Sequence, residues 1–235
     1  MATSTVAAPQ ANLVSPPSWG SRDAIVKMMR KIVKDYGKDL KFASDNSKIP
    51  IGILAAFIAV ESGGNPTAGG SGSPTQGLMQ WNRVYAKNFL EAEKKLGRLT
   101  PAEEDKLAAY GVKFNAQGQT RVITQADQIK PGLNILIGSI LLGQYIDSRY
   151  DGGKFTGKWA IDDAGALRLD RIITVYNTGA YGPDGKKART GNHATASALA
   201  NVVNSTTRSY INKILGKNGA LDIAQNEVLS DIAAL

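Results

Sequence analysis

IAVESGGNPTAGGSGSPTQGLMQW, residues 58–81, joins an apolar run to a long uncharged loop through one acid, Glu61. Glu61 is the only charged residue between Lys48 and Arg83. Leu54, Phe57 and Ile58 stand seven, four and three residues before it. If 51–61 is helical, all three share a face with Glu61, and the acid closes a core-facing stripe. Burial disfavours a charged carboxyl and raises its pKa. A carboxyl kept protonated near neutrality can act as a general acid, and glycosidic cleavage needs one to protonate the leaving oxygen. A glutamate that ends a helix before glycine is also a common solvated end residue, so the pattern alone leaves both readings open.

The rest of the chain narrows the chemistry. Its 235 residues, 43% hydrophobic and 20% charged, fit one soluble globular domain, or one domain with extensions. Without cysteine there is neither a disulfide framework nor a thiolate metal site. The single histidine, His193, argues against a His-rich metal site, and no GxSxG element accompanies it as part of a triad. The expectation is chemistry with no metal and no cofactor. The net charge of +8 favours an anionic partner: nucleic acid, membrane surface or wall polymer. The lack of a basic stripe interleaved with aromatics argues against nucleic acid. The N-terminus lacks the pattern of a signal peptide, and no apolar run of about 18 residues predicts a membrane span.

Periodicity and punctuation predict a mainly α chain with sparse strand signals and no internal repeat. Residues 1–20 read as a flexible arm and 21–43 as a helix with its lysines and arginines mostly opposite its apolar face. "SDNSKIP" reads as a helix start, with Pro50 in the first turn of a helix reaching Glu61 or Ser62. Thr100, Pro101 and Glu103 form a capping box that opens a helix ending near Gly111. "KPGLNILIGSILLGQYIDSRYDGG" predicts a central apolar helix closed by Asp-Gly-Gly, and "ALRLDRIITVYNTGAYG" another. One or two more helices cover "TASALANVVNSTTRSYINKILGKNG", and 221–235 predicts a short amphipathic one.

Four segments in order resemble the soluble lytic transglycosylases of the lysozyme-like superfamily. "ESGGNPTAGGSGSPTQGLMQ" is similar to their Glu-Ser … Gly-Leu-Met-Gln signature, "NILIGSILLGQYIDSRYDG" to their Asn-Ile-x-x-Gly helix, "VYNTGAYG" to Tyr-Asn-Ala-Gly, and "TTRSYINKIL" to the last helix. The resemblance covers about residues 25–215. It implies a lysozyme-like helical domain at 21–216, with 83–130 as an extended helical insertion and 217–235 as a C-terminal extension. It implies that Glu61 is the catalytic acid and that Ser62 helps hold the site. Met79 and Gln80 would line the sugar groove, Tyr176 would orient the carboxyl, Asn177 would contact substrate, and Tyr210 would lie near the cleft. Read from the pattern alone, Met79, Tyr176 and Tyr210 also suit the core. Ser62, Gln80 and Asn177 also suit helix ends and turns.

The implied reaction uses one carboxyl as acid and then base to cleave the bond between N-acetylmuramic acid and N-acetylglucosamine, leaving a 1,6-anhydro end. A hydrolase would need a second carboxylate. None stands between Ser62 and Asn82, which favours the one-carboxyl route; of Asp162, Asp163 and Asp184, Asp184 is the best candidate for a second, and it reads better as a turn residue in "GPDG". Thr178 and Trp81-Asn82 depart from the family pattern, and Trp81 suits either sugar stacking or packing. A wall-cleaving chain without a standard signal suggests a bacteriophage lysis enzyme or virion component, in the virion or the host envelope. Its partners would be bacterial peptidoglycan and phage tail or baseplate proteins. The alternatives are a hydrolytic muramidase and an inactive sugar-binding virion component.

Overall fold

A computed structural model describes residues 13, 19–70, 72–146, 168–179, 182–190, 193 and 195–235. It is mainly helical, with 67% helix and almost no strand, in agreement with the mainly α expectation. An isolated antiparallel bridge joins Thr75 to Asn82. The chain divides into two compact units, one of Met28–Leu141 with Leu229–Leu235 and one of Met1–Lys27 with Leu142–Val228.

The first unit begins within α1 (Arg22–Ser47). Met29, Ile32, Val33, Leu40 and Ala43 repeat at three- and four-residue spacing and are buried on one face. The helix outruns the predicted end at 43, because Asn46 and Ser47 donate back to the carbonyls of Phe42 and Ala43 (2.9 and 2.7 Å). Lys48, at φ 62, then turns the chain out of the helix. "SDNSKIP" is therefore the end of α1 rather than the cap of the next helix: Ser47 Oγ accepts from the Ile49 N–H (3.3 Å), short of α2, and Pro50 takes the N-cap position. Helix α2 (Ile51–Ser62) opens on Pro50 at its N-cap, with no side-chain cap.

Asn82 caps α3 (Arg83–Lys95) by accepting from the Val84 N–H at 2.9 Å. The expected capping box opens α4 (Pro101–Ala109). Thr100 Oγ1 accepts from the Glu103 N–H (3.1 Å), and the Glu103 carboxylate accepts from the Thr100 N–H (2.8 Å). A second box, from Thr124 and Asp127, opens the single turn of α5 (Gln125–Gln128). Helix α6 (Pro131–Ile146) is buried without a break from Gly132 to Ile140. The Asp-Gly-Gly turn expected after it lies outside the described residues.

The second unit holds α7 (Leu169–Thr178), α8 (Pro183–Thr190), α9 (Ala196–Val202), α10 (Ser205–Leu215) and α11 (Ala220–Asn226). α7 packs against α8 and α10. A buried bidentate pair, Arg168 with Asp170 (2.9 and 2.8 Å), stands at the start of α7, and Arg168 also donates to the His193 carbonyl (2.7 Å). From the N-terminal arm, Leu13 is buried and its carbonyl accepts from the Lys217 N–H at 2.7 Å. Where the sequence predicts one C-terminal amphipathic helix there are two, broken at Glu227 and Val228. The second, α12 (Leu229–Ala233), belongs to the first unit and packs against α2. No helix among the described residues is long and apolar enough to cross a membrane.

Candidate active site

Glu61 is delivered by a helix with no solvent face over most of its length. Ile53, Leu54, Ala55, Ala56, Phe57, Ile58 and Ala59 are all buried, and seven consecutive residues span nearly two turns. The apolar stripe expected beneath Glu61 is therefore an apolar cylinder. The cover ends at Val60, Glu61 and Ser62, which are half-buried. Ser62 ties off the helix, donating to the Ile58 carbonyl (3.0 Å) and accepting from the Gly64 N–H (3.2 Å). Gly63 comes next in the left-handed conformation (φ 62, ψ 19), with its N–H on the Ala59 carbonyl. Gly64 is also left-handed, and a Cβ there would meet Ile32 at 2.8 Å. The Tyr36 hydroxyl donates to its carbonyl (3.0 Å).

The loop after α2 is folded on itself and then locked to α6. Asn65 makes an Asx turn, its Oδ1 accepting from the Thr67 N–H at 3.0 Å. The Gly77 N–H donates to the Ala68 carbonyl (2.9 Å). Asn134, fully buried on α6, is the lock. Its Oδ1 accepts from the Met79 N–H (2.8 Å), its Nδ2 donates to the carbonyls of Gln76 (3.1 Å) and Gln128 (2.8 Å), and its own carbonyl accepts from Trp81 Nε1 (2.9 Å). A Cβ on Gly77, at φ 87, would stand 2.2 Å from the Gln128 carbonyl oxygen and 2.3 Å from Asn134 Nδ2. One turn along α6, a Cβ on Gly138 would stand 2.4 Å from Met79 Sδ.

These contacts assign parts to the expected groove residues. Met79 is fully buried against Gly138 and exposes no surface, so it packs where the resemblance has it line a groove. Trp81, 3% exposed with its indole N–H satisfied, packs rather than stacks on a ligand. Gln80 is half-buried and adopts φ 49, a conformation uncommon outside glycine. Its Nε2 donates to the carbonyls of Ala68 (2.9 Å) and Gly77 (2.8 Å), which staples the loop shut. Asn134 and Gly138 are the residues that hold this loop, and the expected site residues do not include them. Their signal is present in "NILIG", where a polar residue and a glycine stand one helical turn apart on an otherwise apolar helix.

Tyr176, Asn177 and Tyr210 belong to the second unit. Tyr176 is half-buried near the end of α7, Asn177 is exposed beside it, and Tyr210 on α10 is 9% exposed. Asn177 Nδ2 reaches Thr207 Oγ1 at 3.5 Å, a long contact. Thr178, where the family pattern has alanine, turns its hydroxyl back to the Thr174 carbonyl (2.8 Å) and so costs the helix end no unmet donor.

Asp184 is a helix residue rather than the turn residue expected in "GPDG". It lies in the first turn of α8, 3% exposed, and accepts from the Asn204 N–H (3.0 Å) and Lys187 Nζ (3.1 Å). Burial pushes its pKa up, but the bonds from Asn204, Lys187 and Thr207 outweigh burial and hold it below the usual carboxylate range. A general acid needs the opposite shift. Asp162 and Asp163 lie outside the described residues. No protein-family model matches this chain, and no curated protein matches it.

Proposed function

We propose that the chain is a lysozyme-like lytic transglycosylase that cleaves peptidoglycan with Glu61 as its single catalytic carboxyl. The observation that carries this reading is the setting of Glu61. It is a half-buried acid at the mouth of an all-apolar helix, beside a loop pinned through Asn134 to the next buried helix. The resemblance of four sequence segments, in order, to that family also supports it.

In this reading the protonated carboxyl of Glu61 gives its proton to the glycosidic oxygen as the bond to the muramoyl C1 breaks. The resulting carboxylate takes the proton of the muramoyl C6 hydroxyl, whose oxygen closes onto C1. The products are a free 4-hydroxyl on the departing sugar and a 1,6-anhydro ring, and the enzyme regains its proton. No water enters. The structural engagement of Asp184 favours this one-carboxylate route over a two-carboxylate hydrolysis. A phage lysis enzyme or virion component, acting on the host wall and docked on tail or baseplate proteins, is the setting we infer.

Digestion of purified peptidoglycan with wild type and Glu61→Gln, followed by mass spectrometry of the muropeptides, tests the proposal. Wild type should release anhydro-muropeptides, and Glu61→Gln should lose at least about 10²-fold in rate while melting as wild type does. Reducing ends in place of anhydro ends would convert the reading to a hydrolase. Undiminished cleavage by Glu61→Gln would remove Glu61 from the chemistry, and no cleavage by either would leave an inactive virion component.

A further inference from the structure

The cations of α1 are not scattered. At about 100° per residue, Arg30, Lys31, Lys34, Lys38 and Lys41 fall within an arc of about 100°. All five are exposed, opposite the face that buries Met29, Ile32, Val33, Leu40 and Ala43. Successive lysines from Lys31 to Lys41 are three or four residues apart, a rise of about 4.5–6 Å. Acids stand at the edges and the end of this row. Lys31 pairs with Asp35, Lys41 with Asp45 (3.2 Å) and Arg30 with Asp231 (3.3 Å). Lys34 and Lys38, at the centre, have no ion-pair partner among the described residues. Like charges at these spacings weaken a helix, and exposed pairs exchange readily for a better anion. A ladder of this kind is matched by a chain of repeating anions.

The surroundings choose among such chains. None of the exposed large apolar side chains lies on α1, so the face has nothing to insert into a bilayer. Of the aromatics of α1, Tyr36 is half-buried with its hydroxyl held by Gly64, and Phe42 lies beneath Lys106. Neither offers a free ring on which a base could stack. Four of the five cations are lysines, point charges that recognise an anion by its charge rather than by its shape. We propose that this face of α1 docks a phosphodiester-linked polyol chain, a polymer that carries anions but neither bases nor acyl tails. Its source would be the bacterial wall, a choice that rests on the functional reading above.

Affinity of the full chain for poly(glycerol phosphate), measured by fluorescence anisotropy across a salt series, tests the proposal. One variant replaces Lys31, Lys34, Lys38 and Lys41 with Gln. A control removes the same charge at four exposed, dispersed sites, Lys95, Lys113, Lys186 and Lys217. The α1 variant should lose about tenfold or more in affinity and about 3 from the log–log salt slope, with an unchanged melt, while the control loses little. Equal losses in the two variants would reduce the effect to net charge and overturn the proposal. So would tighter binding to a uridine oligonucleotide or to phosphatidylglycerol vesicles than to the polyol chain. Glu61→Gln should bind the polymer as wild type does, so failure of the catalytic reading and failure of this one are seen in different measurements.

Discussion

Gly138 lacks a side chain because Met79 needs the space. The Met79 thioether lies where a Cβ would go, at 2.4 Å from Sδ and 3.0 Å from the Met79 Cβ. Both residues are buried, so neither can swing into solvent. Gly138→Ala should therefore cost about 1–3 kcal/mol by overpacking. Met79→Ala alone should cost about 2–5 kcal/mol through the cavity it leaves. In the double variant the new methyl enters that cavity, so the two losses should fall short of their sum by about 0.5 kcal/mol or more. Urea unfolding of the four proteins measures this, and strict additivity would mean that Met79 is not what keeps residue 138 small. The glycine is visible in the sequence, but its reason is not. Its partner lies 59 positions earlier, and no local pattern reports a contact across that separation.

At the scale of elements, legibility tracks how local the cause is. The Thr100–Glu103 box is read directly because both partners stand within one turn. The end of α1 is misread because Asn46 and Ser47 suit the last turn of one helix as well as the approach to the next, and here their side chains donate back to the Phe42 and Ala43 carbonyls and extend α1. The one-sided reading of α2 misses that helix α12, from the far end of the chain, packs on it. Met79 and Trp81 fit core and groove equally well as residue types, and only their depth separates the two. The same logic gives Asp184 a measurable role. It holds the start of α8 to the backbone at Asn204, the N-cap of α10, so it joins two helices. Asp184→Asn should lower stability by about 1–3 kcal/mol, since it weakens bonds to a buried charged acceptor. The turnover of the folded fraction on peptidoglycan should stay near wild type. A selective loss of turnover with an unchanged melt would return Asp184 to the cleft as a second carboxylate.

For the whole molecule, the buried carboxylates set how stability varies with pH, and they do not all push the same way. Burial pushes Asp127 up, but bonds from Arg121, Thr124 and Lys130 outweigh it and hold the group far below the usual carboxylate range. Asp184 is depressed as well, also by its hydrogen bonds. Each is a carboxylate whose folded pKa lies below its unfolded one. Each therefore contributes stability that is present above the unfolded value, near 4, and is lost as pH falls through the folded value. The repulsion among 28 lysines and arginines grows over the same range as acids are neutralised. Glu103 has the opposite sign, because burial raises its pKa and the Thr100 bonds only partly offset that. Its contribution is fully present below the unfolded value and declines as pH rises through the folded one. Glu103→Gln keeps an oxygen that can accept from the Thr100 N–H and removes the buried charge. The variant should melt higher than wild type at pH 7.5, and the gap should close by about pH 3, where both side chains are neutral. Asp127→Asn should do the reverse, with a clear deficit at pH 7.5 that shrinks in acid. Thermal melts of the three proteins across this range test both signs at once. A Glu103→Gln deficit that persists at every pH would mean that the capping bond to Thr100, rather than the burial of its charge, governs what this residue contributes.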